Sequence, residues 1–255
     1  MKPYSDSFYE SLPEIAHLSA KEIVPLILEL IQPKSIIDVG CRLGTWLSVF
    51  KEYGIEDFLG VDGYYIDKKM LQIPEEKFYQ HDLEKPFKID NKFDLVISLE
   101  VAEHLPSKCA EMFIDSLMKL GSVILFSAAI PLQGGTNHVN EQWPDYWTKY
   151  FNKNGYRVVD CVRKKVWQND NVGYWYAQNM LMFVKQDYLE RHHLLKREFE
   201  NTITSQLSVV HPKMYLDSHN LKNKTIKQSL NILKILIINI LERITNRILI
   251  KKKPT

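Results

Sequence analysis

Cysteine is scarce in this chain: Cys41, Cys109 and Cys161 are the only three in 255 residues, with no CxxC pair. That excludes a disulfide framework and a cysteine-based zinc site, and it fits a reducing compartment, the cytoplasm. Residues 1–12 include several polar side chains and no apolar core, so no secretory signal is expected there. No internal repeat, low-complexity linker or G-x-G-x-x-G dinucleotide fingerprint is present. Net charge is also small, +2, but it is unevenly spread. Residues 222–255 hold nine Lys/Arg against one acid, Glu242, leaving 24 of the 33 basic and 30 of the 31 acidic residues before position 222. A nucleic-acid enzyme usually gathers positive charge around its active site. Here the body is acidic, and a nucleic-acid partner is not expected.

What is present is the apolar patterning of a globular α/β chain, with 45% hydrophobic and 25% charged residues. Ile23, Val24, Ile27, Leu28 and Ile31 recur at three- and four-residue spacing and predict a helix over 19–30 that stops at Gln32-Pro33. Strands are expected at 35–39, 58–61, 78–81, 93–99, 123–127, 156–162 and 179–184. Helices are expected at 107–120, with Gly121 as C-cap, and at 142–152. This alternation predicts an open, mostly parallel sheet with one antiparallel member. Beyond Gln186 the pattern is helical only, so we divide the chain into a domain at 1–186 and a helical extension at 187–255.

In such a sheet, ligands bind at the carboxyl ends of the strands. The first loop there carries Asp38-x-Gly40-x-x-x-Gly44, whose glycines let backbone approach a ligand closely. Asp62 ends the second strand and can accept from two ribose hydroxyls. Asp82 follows the third and can accept from an adenine amino group, with Leu83 against the ring. Asp38 can face an amino-acid ammonium. A nucleoside bearing an amino acid is satisfied by these acids without a phosphate-binding group.

The segments IIDVGCRLGTW, FLGVDG, QHDLEKPF and FDLVISLEVAEHLP resemble successive motifs of class I S-adenosylmethionine-dependent methyltransferases. LFSAAIP, QGGTNHVNEQWPDYW and YWYAQN extend the similarity to one mainly bacterial group, over about residues 15–185. The resemblance implies a Rossmann-like seven-stranded sheet with an antiparallel last strand, and S-adenosylmethionine held by Asp38, Gly40, Gly44, Asp62 and Asp82. We place Leu83 and Glu100 with that set. Arg42 departs from the pattern, standing where a second glycine is usual, so its side chain must point away from the cofactor.

S-adenosylmethionine carries an activated methyl group, which leaves alignment and proton removal to the protein. His138 is the first candidate for general base, His104 the second, and Glu141 can orient either. Asn140, Trp143, Tyr174 and Tyr176 are candidate acceptor-binding residues, because aromatic faces beside amides suit a sugar. Tyr174 and Tyr176 are expected to alternate with Trp175 along a strand. No metal site is expected: Glu190, His192 and His193 read as a solvated helix face. The expected function is O-methylation of a sugar hydroxyl in a surface-glycan pathway. Methylation of a phenolic or polyketide-type molecule, and an inactive cofactor-binding scaffold, are the alternatives. The basic amphipathic stretch 226–250 reads either as a helix on an anionic membrane surface or as a helix that mediates oligomers.

Overall fold

The computed structural model describes residues 6–219 together with 233 and 234, and the side chains of 14–218 and of those two. Apart from 233 and 234, the stretch 226–250 lies outside the described residues. The strands are β1 (Ser35–Val39), β2 (Asp57–Asp62), β3 (Phe78–Gln80), β4 (Leu95–Leu99), β5 (Val123–Ser127), β6 (Tyr156–Val159) and β7 (Leu181–Lys185). The helices are α1 (Asp6–Ile31), α2 (Thr45–Glu52), α3 (Ala110–Leu120), α4 (Pro144–Lys153), α5 (Arg163–Val166), α6 (Tyr174–Asn179), α7 (Gln186–Arg191), α8 (His193–Glu200) and α9 (Pro212–His219).

The strands form one sheet in the order β3-β2-β1-β4-β5-β7-β6. β7 runs antiparallel to both β5 and β6, and the other pairings are parallel. This is the Rossmann-like arrangement of class I methyltransferases. Every residue of β4 and β5 is buried, as parallel strands covered on both faces must be. One face packs on Ile23 and Ile27 of α1 and on Leu47 and Phe50 of α2. The other packs on Phe113 and Leu117 of α3 and on Trp147 and Phe151 of α4. Strand order reverses between β1 and β4, and the crevice above their carboxyl ends is where such sheets bind ligands.

Three local expectations need correction. The segment 174–179 is not strand but the short helix α6, and β7 starts only at Leu181. Aromatic residues favour strands, yet one helical turn here buries Tyr176, Ala177 and Met180 together in the core. Gly121 is the C-cap of α3, but in extended and not left-handed backbone, with a φ of −171°. Its missing side chain serves packing, since a Cβ there would sit 2.5 Å from the Phe93 carbonyl oxygen. The helical pattern expected beyond Gln186 breaks at His192, whose side chain caps α8 by accepting from the Leu195 amide.

Residues 186–219 rest on the same sheet. Leu189 and Leu195 join one core and Leu207 the other. Arg163, 3% exposed, pairs with Asp160 and donates to the carbonyls of Gln178 and Leu207 at 3.1 and 2.7 Å. Among the described residues no helix is long and apolar enough to cross a membrane.

The Gly121 contact is testable. Phe93 cannot retreat without stretching its 2.8 Å amide bond to the Leu120 carbonyl. Gly121→Ala should therefore cost about 1–3 kcal/mol by urea denaturation.

Candidate functional site

The loop after β1 turns tightly into α2. Gly40, at φ +88°, donates to the Val61 carbonyl at 2.8 Å, and a Cβ on it would lie 2.3 Å from Val101 Cγ2. Only glycine fits there. Arg42 also adopts a left-handed backbone, φ +51°, and its amide donates to Asp62 Oδ2 at 2.5 Å. The conformation explains why glycine is usual in the resembling motifs; the hydrogen bond to a carboxylate offsets the cost of roughly 1 kcal/mol for a side chain there. Gly44, at φ +80°, forms the N-cap of α2 and lies off the cavity wall.

Asp38 and Asp62 are 3% and 2% exposed. Burial first, and then the neighbouring Asp62 carboxylate, pushes the Asp38 carboxyl well above its usual range. Asp62 accepts from the amides of Arg42 and Gly63 and from the Tyr65 hydroxyl. Tyr65, three residues past the acid and missed in the sequence reading, thus sits on the carboxylate expected to hold a ribose. Asp82 lies two residues beyond β3. Its side chain is 39% exposed, and a bond from Lys85 Nζ, with the Glu84 amide, draws its carboxyl below the usual range. Leu83 beside it is buried.

The loops after β4 and β5 build the opposite wall. Glu100, at φ +55°, leaves β4 with its amide on Ser127 and its carboxylate held by Asn179 Nδ2 and by Gln133 Nε2 at 2.9 Å. Gln178 extends this amide network to Gln133 and to the backbone of His211. Glu103 is fully buried, and neither of its carboxylate oxygens has a hydrogen-bond partner. Burial and, after it, the adjacent Glu100 charge push its carboxyl well up. Burial, then the neighbouring His138, lowers the His104 pKa. His138 Nδ1 lies 3.0 Å from Glu141 Oε1, and its ring meets that of His104 edge-on at 4.8 Å. Glu141 also accepts from the amides of Leu132 and Gly134. Burial would raise its carboxyl, but these bonds outweigh it and hold the group low.

Most of these groups meet at one cavity of about 1030 Å³. Of the residues singled out from the sequence, Asp38, Gly40, Asp62, Asp82, Leu83, Glu100, His104, His138, Tyr174 and Tyr176 line it. Glu141 stands behind His138, outside the lining. Asn140 is buried with its carbonyl oxygen on Gln142, and Trp143 is the N-cap of α4, 40% exposed and off the cavity wall. Trp46 and Tyr64 line it without having been singled out as a cofactor or acceptor contact.

A family profile described as "methyltransferase domain" matches residues 14–165, well over half of the chain. The chain belongs to that family, and it is an S-adenosylmethionine-dependent methyltransferase of the class I, Rossmann-like type. Its fold is similar to magnesium protoporphyrin IX methyltransferase of Synechocystis PCC 6803 crystallised with S-adenosylhomocysteine, at 20% identity and a TM-score of 0.52, covering 71% of this chain and 89% of that one. It is similar to DesVI of Streptomyces venezuelae at 16% identity and 0.51, covering 71% and 96%. The methyltransferase domain of a bacterial Hen1 matches at 20% identity and 0.50, covering 67% and 98%. At these identities the likeness is one of fold. No curated protein matches the sequence.

The buried acid has a measurable consequence. Because the folded Asp38 binds its proton more tightly than the unfolded residue, stability is lost as pH rises from about 3.9 through the raised folded value. Asp38→Asn should remove that share of the loss and raise the Tm of the ligand-free protein at neutral pH. Thermal unfolding between pH 4 and 8 reads it.

Proposed function

We propose that the enzyme methylates a hydroxyl oxygen of a sugar or sugar-containing acceptor, as in a surface-glycan pathway. The observation that carries this reading is the His138–Glu141 pair, which places an oriented imidazole across one cavity from Asp38 and Asp62.

The residues present fit S-adenosylmethionine. Asp38 is a buried acid in want of a cation, and the Gly40–Arg42 turn brings backbone against Asp62. On this reading Asp38 takes the methionine ammonium and Asp62 the ribose, displacing the Tyr65 hydroxyl. Asp82 accepts from the adenine amino group, and Leu83 packs on the ring. Glu100 closes the cofactor side. The bound cofactor supplies an electrophilic methyl group on a sulfonium. His138 then removes the acceptor proton through Nε2, since Nδ1 is engaged by Glu141, with His104 beside it.

Tyr174 and Trp175 on the wall, with Tyr64 at 72% exposure near the rim, offer aromatic faces to a sugar. The same faces favour the second reading, a phenolic acceptor. Retention of Asp38, Asp62 and Asp82 opposes an inactive scaffold. Three free, buried cysteines accord with a reducing, cytoplasmic setting.

Release of S-adenosylhomocysteine over a panel of glycans, phenols and amines tests the acceptor class; turnover confined to amines would refute it. His138→Ala should lower kcat by about 10²–10⁴-fold and leave affinity for S-adenosylhomocysteine within about twofold. Unchanged turnover would remove His138 from the chemistry. Asp62→Asn should instead weaken cofactor binding, by about 10²-fold in calorimetry.

A further inference from the structure

We propose that Glu103, His104 and His138 bind a divalent first-row transition-metal ion at the acceptor end of the cavity. The inference deepens the hydroxyl-acceptor reading and rests on it for the ion's role, though not for the ion's binding.

The first observation is Glu103. A fully buried carboxylate with no partner on either oxygen is costly to keep, and such groups are normally paired or bound to metal. The second is the donor set. One ligand atom each from Glu103, His104 and His138 lies within 4.8 Å of the other two. Donors around an ion at about 2.1 Å sit roughly 3–3.5 Å apart, so the farthest pair needs to draw in by roughly 1.5 Å. The backbone already ties the two loops together: the amides of Val139 and Asn140 donate to the Glu103 carbonyl at 2.9 and 3.0 Å.

The third observation is the support behind the ligands. His138 holds Glu141 through Nδ1, leaving Nε2 for a ligand, and metal-bound imidazoles are commonly fixed by a carboxylate in this way. A Cβ at Gly135 would lie 2.1 Å from Nε2, so glycine keeps that nitrogen's surroundings clear. Glu100 stands next to Glu103, and a dication there lowers the cost of holding two carboxyls so close in a buried site.

One carboxylate and two imidazoles suit Mn²⁺, Fe²⁺, Co²⁺ or Zn²⁺ and are too rich in nitrogen for Ca²⁺ or Mg²⁺. Three protein donors leave coordination positions open to the cavity, as reactive metal sites do. With the ion bound, His138 is a ligand rather than the proton acceptor. The acceptor hydroxyl occupies an open position, its proton passes to bulk water, and the ion carries the oxygen's negative charge. Spacing along the sequence concealed this set because Glu103-His104 and His138 come from loops after different strands.

The test uses the full chain, stripped with EDTA and titrated with Co²⁺ or Mn²⁺. We expect one ion per chain by calorimetry and, for Co²⁺, visible d–d absorption. Glu103→Gln, His104→Ala and His138→Ala should each weaken ion binding at least about tenfold. Affinity for S-adenosylhomocysteine should stay within about twofold, which reports that the variants fold. No absorption band and no heat at about 1 mM ion, or variants that bind as wild type does, would overturn the site. Ion binding in an enzyme that methylates only amines would sink the hydroxyl reading and leave the site standing. Hydroxyl methylation indifferent to EDTA but lost in His138→Ala would do the reverse, leaving His138 as proton acceptor.

Discussion

Everything at the carboxyl edge of this sheet answers to one constraint, the burial of negative charge. Asp38, Asp62 and Glu103 are at most 3% exposed, and Glu100 stands against Glu103. Ionised carboxylates removed from water cost several kcal/mol each unless paired or hydrogen-bonded. The protein meets that cost unevenly. Asp62 has three donors, Glu100 has two amides and Glu103 has none. The unevenness leaves Glu103 as the buried acid that most calls for a cation from outside.

That support has a backbone cost of its own. Arg42 and Glu100 are both left-handed without being glycine, and each lies just beyond a central strand, at the point where strand order reverses. Each is held by what its amide finds: Asp62 for Arg42, and the carbonyl and hydroxyl of Ser127 for Glu100. Two roughly 1 kcal/mol strains are thus anchored by bonds that exist only when the neighbouring strands are in register. Fold and site are coupled through them. Loss of Ser127 or Asp62 would relax the backbone that aims the ligands.

The strands were legible because buried parallel strands are continuous apolar runs, and 95–99 and 123–127 could hardly be anything else. The acids were legible because strand ends place them in order, Asp38, then Asp62, then Asp82. Three things were not. Tyr174–Asn179 has strand composition but folds as a helical turn, because its burial is decided by α1 and β5 and not by local propensity. The hydroxyl of Tyr65 reaches Asp62 through a loop whose course no periodicity reveals. Glu103 and His138 meet through a backbone pairing between two loops, and their 35-residue separation carries no metal-ligand spacing.

The two ends of the cavity also explain each other. On the proposed reading, the cofactor end, with its acids, favours the positive sulfonium, while the acceptor end, with two imidazoles and the proposed ion, favours a negative oxygen. Methyl transfer cancels those charges, so the transition state is less charged than the reactants. Trp46, Leu99, Val101 and Tyr176 give the cavity an apolar stretch of wall, which screens charge less than water does. Over-stabilising either separated charge would raise the barrier. A site that left Asp62 saturated with donors and His138 rigid in every direction would bind its reactants well and turn them over slowly. On the same reading the Tyr65 hydroxyl, which holds Asp62 here, gives way to the ribose, while the amides of Gln133 and Asn179 go on holding Glu100.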